Sequence, residues 1–208
     1  MPKLIFDIET IGENFDELDS ATQEVLTKWI KKDSESEEEN IKALEELKSG
    51  LGFSPLTGQI VAIGVLDYDK NQGVVYFQAP GENFKEFQEE NITFKPCTEK
   101  EMLENFWKGS EKYNEFITFN GRGFDAPFLA VRSAVHKIKS SKDLMSNRYL
   151  SSQRFGATHI DLLPAYFLRR HQAKGRITFM VPGVRHNQSQ SAGRDGRRCG
   201  PAFQRKKI

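Results

Sequence analysis

Residues 3–10 read Lys-Leu-Ile-Phe-Asp-Ile-Glu-Thr, and residues 119–129 read Phe-Asn-Gly-Arg-Gly-Phe-Asp-Ala-Pro-Phe-Leu. The first stretch is a short apolar run, Lys3 to Asp7, and reads as a buried strand that delivers Asp7 and Glu9 to its exit. Residues i and i+2 of a strand project to one face. The two carboxylates therefore lie about 7 Å apart at their Cα atoms and can converge on a hard cation such as Mg²⁺. With 29 acidic residues in the chain, about one Asp-x-Glu is expected by chance, and Asp33-Ser-Glu35 is a second one in a polar stretch. The apolar strand sets the first pair apart, because burying unpaired carboxylates at its end is costly without a cation. In the second stretch a strand enters a glycine turn and a helix leaves it. Asp125 lies just before Pro127, a favoured first-turn residue. Asp125 then has two readings: an N-cap of that helix, or a third metal-facing carboxylate at a strand-to-helix junction. In the second reading, Asn120 and the glycines let a substrate backbone approach closely.

Between these stretches the pattern is that of an α/β layered domain. Residues 16–48 read as helix, with Leu18, Val25, Leu26, Trp29 and Ile30 at helical spacing. A solvated break at 33–40 precedes a second helix carrying Ile41, Leu44 and Leu47, which Gly50 and Gly52 end as C-caps. The acidic run Glu37–Glu39 reads as a solvated face. Gln59–Asp67 is a strong apolar strand, 69–73 is turn chemistry, and Val74–Gln78 returns as the second arm of a hairpin. Glu99–Tyr113 is a helix with Met102, Leu103, Phe106 and Trp107 on its core face. Phe116–Phe119 is a short buried strand, and Asp125–Lys139 a helix carrying Phe128, Leu129, Val131 and Val135. Strand, hairpin, helix, strand and helix in that order exclude a helix bundle and a β-sandwich.

The chain has 208 residues, 38% hydrophobic and 11% aromatic with sixteen Phe, enough for one core and against wholesale disorder. No run of eighteen apolar residues is present, so no membrane span is expected. The N-terminus is acidic by position 7 and reads as neither a signal nor a transit peptide. Two cysteines make no disulfide framework and no zinc pattern, so a cytoplasmic protein is expected. The net charge of +1 hides an asymmetry. Residues 164–208 hold eleven Lys/Arg and one acid, Asp195, which leaves nineteen basic and 28 acidic residues in the first 163. Such a division marks a nucleic-acid-binding arm.

The segments containing Asp7-Ile-Glu9-Thr10 and Phe119-Asn-Gly-Arg-Gly-Phe-Asp125 resemble motifs I and II of the DEDD-type 3′–5′ exonucleases. The likeness is to stand-alone proteins similar to the proofreading domain of family B DNA polymerases, and it runs from about residue 3 to 163. It implies an α/β fold, an RNase H-like mixed sheet with flanking helices. It also implies a two-metal Mg²⁺ or Mn²⁺ site held by Asp7, Glu9 and Asp125, and hydrolysis of the terminal phosphodiester of a nucleic acid, with a single-stranded DNA 3′ end as the expected substrate. Thr10, Asn120 and Phe124 fall where that family holds the substrate. His159-Ile-Asp161-Leu162 is similar to a segment such proteins carry after motif II. It is not the fourth carboxylate, which belongs to a later motif III with a Tyr or His a few residues before the Asp. No such pattern follows Asp161. Asp195 has no helical periodicity around it, His171 and His186 have no acid at the right spacing, and His136 reads as a structural or surface residue.

Residues 1–163 are thus expected to form the exonuclease domain, with an incomplete C-terminal part. Residues 164–208 are expected to be a disordered basic arm or the product of a frameshift near Leu163 or Pro164: residues 181–208 have few large apolar side chains, and a one-base shift permits a translation that mixes acids and bases like a folded domain. The expected function is a metal-dependent 3′–5′ exonuclease impaired by the lack of motif III. The alternative is a catalytically inactive module that binds nucleic acid through its basic tail.

Overall fold

The computed structural model describes residues 1–30, 36–82, 84–147, 149–153, 157–164 and 166. The expected incompleteness of the C-terminal part, the Asp33–Glu35 pair and nearly all of the basic tail, with its disorder or frameshift, lie outside the described residues. The described chain is built on one seven-stranded mixed sheet. Its strands are β1 (Lys3–Gly12), β2 (Gly58–Asp67), β3 (Gln72–Phe77), β4 (Phe87–Glu89), β5 (Ile92–Pro96), β6 (Glu115–Thr118) and β7 (Thr158–Asp161), arranged β4-β5-β3-β2-β1-β6-β7. The β1, β2 and β3 strands form an antiparallel meander, and β6 and β7 continue the sheet parallel to β1. On the other flank β5 runs parallel to β3 and β4 antiparallel to β5. The helices are α1 (Ser20–Thr27), α2 (Glu37–Gly50), α3 (Glu99–Ser110) and α4 (Asp125–Val135). This is the α/β, RNase H-like arrangement that the sequence implies.

Alternation decides which face of the sheet is the core. Leu4, Phe6 and Ile8 of β1 are buried while Asp7 and Glu9, between and beyond them, are exposed. The buried set joins Ile60 and Ile63 of β2 and Phe116 of β6 in one core with Met102, Leu103, Phe106 and Trp107 of α3 and Phe128 and Leu129 of α4. Thr98 and Glu101 cap α3 reciprocally, which satisfies two of its orphan N–H groups. A buried ion pair ties the layers together. Glu99 accepts two bonds from the Arg132 guanidinium, at 2.8 and 2.7 Å, and one from the Ile60 N–H at 2.8 Å, where β3 has already left β2. His136 Nε2 lies 2.7 Å from the same carboxylate, which gives it the structural role expected.

Several elements differ from the expectation. The 16–48 helix is a short 3-10 turn at Phe15–Glu17, then α1, then α2. The acidic run Glu37–Glu39 is not part of a break: it forms the first turn of α2 behind the N-cap Ser36, where negative charge faces the positive end of the helix dipole. No side chain of α1 is fully buried, and Val25 and Trp29 are exposed. Gly50 stays right-handed, and the chain continues into a 3-10 turn at Leu51–Phe53. Gly52 serves close packing instead, because a Cβ there would lie 2.9 Å from the Gly12 N. The α4 helix stops at Val135, since Lys137 turns left-handed at φ 58°; its buried polar face is Arg132 and Ser133, while Val135 is exposed. The sequence reading missed the β4–β5 hairpin, whose turn places Glu90 at φ 51° without a glycine, and did not assign β7.

Two outcomes test this arrangement. Glu99→Ala leaves the Arg132 charge buried without a partner and is expected to cost about 3 kcal/mol or more in denaturant unfolding. Asp67, at the far end of β2, accepts from the Lys70 N–H, the Lys70 ammonium and the Tyr113 hydroxyl. The Lys70 N–H bond lowers its carboxyl most, burial opposes, and the pKa falls from 3.8 to about 2. A depressed acid stabilises the fold above its unfolded pKa and loses that contribution as protons bind the native state. The melting temperature of the wild type should therefore fall more steeply from pH 4 to pH 2 than that of Asp67→Asn, and the gap between them should close.

Candidate active site

The site forms where β6 stops pairing with β1. Their parallel register covers Lys3–Ile5 against Glu115–Ile117 only, because β6 then breaks into the glycine turn. Beyond Ile5 that edge of β1 has no strand partner, and a buried N–H left there would be costly. Asp125 fills the gap: its Oδ1 accepts from the Ile8 N–H at 3.0 Å. The N-cap reading of Asp125 is thereby overturned. The N-cap is Phe124, with no side-chain cap bond, and Asp125 is the first residue of α4 with its carboxylate turned to β1. The sequence allowed both readings because both place an Asp in the first turn of a helix.

Asp125 is 3% exposed. Burial and, after it, the charge of Asp7 beside it push its carboxyl up to about 6, with the Ile8 N–H opposing. Asp7 and Glu9 occupy one exposed face of β1, registered against Gly64 and Ala62 of β2, and a bulge follows between Glu9 and Thr10. The structure brings Asp7 and Asp125 together. Among the described residues no group of three or more His, Cys, Asp or Glu side chains that could hold a metal ion is present, so Glu9 is on the shared face without forming a triad with that pair.

The turn that carries Asp125 is built from within. Asn120 is left-handed, φ 62°, and its carbonyl accepts from the N–H groups of Gly123 and Phe124 at 2.9 and 3.1 Å. Asp161, at the end of β7, accepts from the Asn120, Arg122 and Leu163 N–H groups at 2.8, 3.1 and 3.0 Å. It shapes this turn across forty residues of sequence, a role the sequence reading missed although His-x-Asp stood out. Gly121 is required for a reason other than substrate access. A Cβ there would lie 2.3 Å from the Thr118 hydroxyl, so that space is already filled and the expectation fails at this glycine. Thr118 is fixed in turn by His159, whose Nε2 lies 2.8 Å from its Oγ1 and whose Nδ1 lies 2.9 Å from the Leu144 carbonyl. Burial holds the His159 imidazole below its ordinary pKa, so Nδ1 donates to Leu144 and Nε2 accepts from Thr118.

The remaining candidates surround this pair. The Thr10 hydroxyl donates to the Gly52 carbonyl at 2.8 Å, which hooks the 3-10 turn at Leu51–Phe53 onto the end of β1. Phe124 is partly buried, in a tilted contact with Phe128 at 5.4 Å and an edge-to-face contact with Phe53 at 6.4 Å. Among the described residues no helix is long and apolar enough to cross a membrane.

Residues 56–180 match a family described as predicted 3′–5′ exonucleases related to the exonuclease domain of PolB. The match contains Asp125, begins after Asp7 and Glu9, and ends beyond Pro164. No curated protein matches the chain. Among solved structures, the family B DNA polymerase from the hyperthermophilic archaeon Pyrobaculum calidifontis is similar at 14% identity over 77% of this chain, with a TM-score of 0.41. The chain spans 15% of the length of that polymerase. With well over half of its residues in the matched span, the chain belongs to the family of predicted 3′–5′ exonucleases related to the exonuclease domain of PolB.

Proposed function

We propose that residues 1–163 form a metal-dependent 3′–5′ exonuclease domain that hydrolyses the terminal phosphodiester of single-stranded DNA. The observation that carries the reading is the Asp125 carboxylate, buried, fixed to the β1 backbone and set against Asp7. Two carboxylates face to face need a proton or a cation between them. All donors are carboxylate oxygens, the set that suits Mg²⁺ or Mn²⁺, and Asp7, Glu9 and Asp125 would hold it. Bound there, such cations activate the attacking water and stabilise the leaving 3′ oxygen. The chain's own part is orientation. The Ile8 N–H fixes one Asp125 oxygen, the β1 pleat presents Asp7 and Glu9 on one face, and Asn120 and Phe124 lie on the turn that delivers Asp125.

In the 208-residue polypeptide the only acid after Asp161 is Asp195, so the fourth carboxylate of the DEDD pattern has no counterpart at the expected spacing. Misplacing or losing one ligand of a two-metal site lowers the rate by orders of magnitude. We therefore assign this polypeptide a low hydrolytic rate and nucleic-acid binding as its retained property, with the eleven Lys/Arg of 164–208 as an additional phosphate-binding arm.

Two measurements test the reading. Mg²⁺ or Mn²⁺ is expected to raise the melting temperature by linkage, and Asp7→Asn combined with Asp125→Asn to abolish the rise; an equal rise in the double variant excludes the site. On an end-labelled single strand with Mg²⁺, the 208-residue chain is expected to release 3′ nucleotides at least about a hundredfold more slowly than a chain extended to supply the fourth carboxylate. Asp7→Ala should abolish what remains. Equal rates in the two chains would show that the fourth carboxylate is dispensable.

A further inference from the structure

Phe53 is 75% exposed, and it follows a turn that is packed closely against the end of β1. A Cβ on Gly12 would lie 2.7 Å from the Leu51 Cβ, one on Gly52 would lie 2.9 Å from the Gly12 N, and one on Gly58 would lie 3.1 Å from the Gly52 Cα. Three backbones therefore meet without intervening side chains, and the Thr10 hydroxyl adds its bond to the Gly52 carbonyl. The Phe53 ring meets the Phe124 ring edge to face, at 6.4 Å and 65°. Phe124 directly precedes Asp125, and Thr10 directly follows Glu9. The fold thus presents an aromatic ring to solvent near the carboxylates, with a second ring against its edge. Single exposed apolar side chains are ordinary on a protein surface; what sets Phe53 apart is its place, with its ring against Phe124 next to Asp125 and its turn bonded by Thr10 next to Glu9.

Charge identifies what the ring has to offer a strand. The first 163 residues carry nine more acids than bases, and three of those acids are Asp7, Glu9 and Asp125. Away from the cations that the three carboxylates would hold, an acidic surface offers little to the phosphates of a strand. Stacking of bases on aromatic rings is uncharged, tolerates any sequence and is available only to unpaired bases. On the reading of this site as nucleic-acid-binding, we propose that Phe53, braced by Phe124, is the stacking platform for an unpaired base of the bound strand. In the same arrangement Thr10 is a positioning residue: its hydroxyl acts through Gly52, which sets the turn bearing the Phe53 ring.

The test compares binding of two labelled strands of equal length, a twelve-residue oligothymidylate and a twelve-residue strand of abasic nucleotides. Both are measured with the full chain by fluorescence anisotropy, with Ca²⁺ replacing Mg²⁺ to slow cleavage. Both strands carry the same phosphates, so the contribution of the basic tail cancels in their ratio. The wild type is expected to prefer the base-bearing strand about tenfold. Phe53→Ala should lose that preference with an unchanged melting temperature, and Phe53→Trp should keep it. Thr10→Val should lose most of it, and Thr10→Ser should restore it. A Phe53→Ala variant with the full preference, or with equal losses on both strands, overturns the platform. A Thr10→Val variant with full preference overturns the positioning role of Thr10. If the wild type binds neither strand, the nucleic-acid reading falls and the platform with it. If the wild type shows the preference that Phe53→Ala loses but hydrolyses nothing, the platform stands and only the catalytic reading fails.

Discussion

The bond from the Ile8 N–H to the Asp125 carboxylate, between residues 117 apart in sequence, is the constraint around which the site is organised. It exists because β6 leaves β1 after three registered pairs. A strand edge that loses its neighbour inside a protein must find another acceptor. The fold supplies a charged one, and a hydrogen bond to a carboxylate is stronger than one to a carbonyl. The same bond fixes one oxygen of Asp125 and leaves the carboxylate buried beside Asp7. What satisfies the backbone thus also creates an electrostatic conflict, which the raised Asp125 pKa records. Strain of this kind at the end of a sheet is common where chemistry is done.

The parts legible in the sequence were those written as local periodicity. The short apolar run from Lys3 to Asp7 gave β1, and the two-residue spacing of Asp7 and Glu9 put both carboxylates on one of its faces. The β2–β3 hairpin and the core face of α3 followed from equally regular patterns. What was not legible depends on partners far away. Asp125 could be an N-cap or a site residue until the departure of β6 was known. Gly52 looked like a helix terminator because its neighbour in space, Gly12, is forty residues away. Gly121 looked like room for a substrate, but Thr118 occupies the space. The β4–β5 hairpin lacked both a turn glycine and a long apolar run, since residues 87–93 include two acids and two other polar residues before Thr93. Its only pairing to the rest of the sheet is β5 on β3, a tertiary contact no local pattern contains.

The helical segment between β1 and β2 illustrates how an insertion can be attached without disturbing a sheet. Its helices bury little, but its return turn is locked where Gly12, Gly52 and Gly58 meet. The Lys48–Asp16 ion pair at its base is largely exposed and contributes little. The attachment is therefore geometric, through backbone contact, and the insertion can vary in length and composition while Phe53 keeps its place.

The three bonds that Asp161 accepts also impose an order on folding. The turn bearing Asp125 is finished by a residue that emerges later in synthesis, and Asp125 itself bonds a strand made at the very start. Contacts of such sequence separation form slowly, because the loop between them must close first. On the ribosome, β1 must wait with its Ile8 N–H unpaired until α4 has emerged. The turn then stays loosely defined until β7 docks and Asp161 arrives. The carboxylate pair is thus a late product of folding, and a nascent chain stalled before residue 161 would carry the acids of this centre without their geometry.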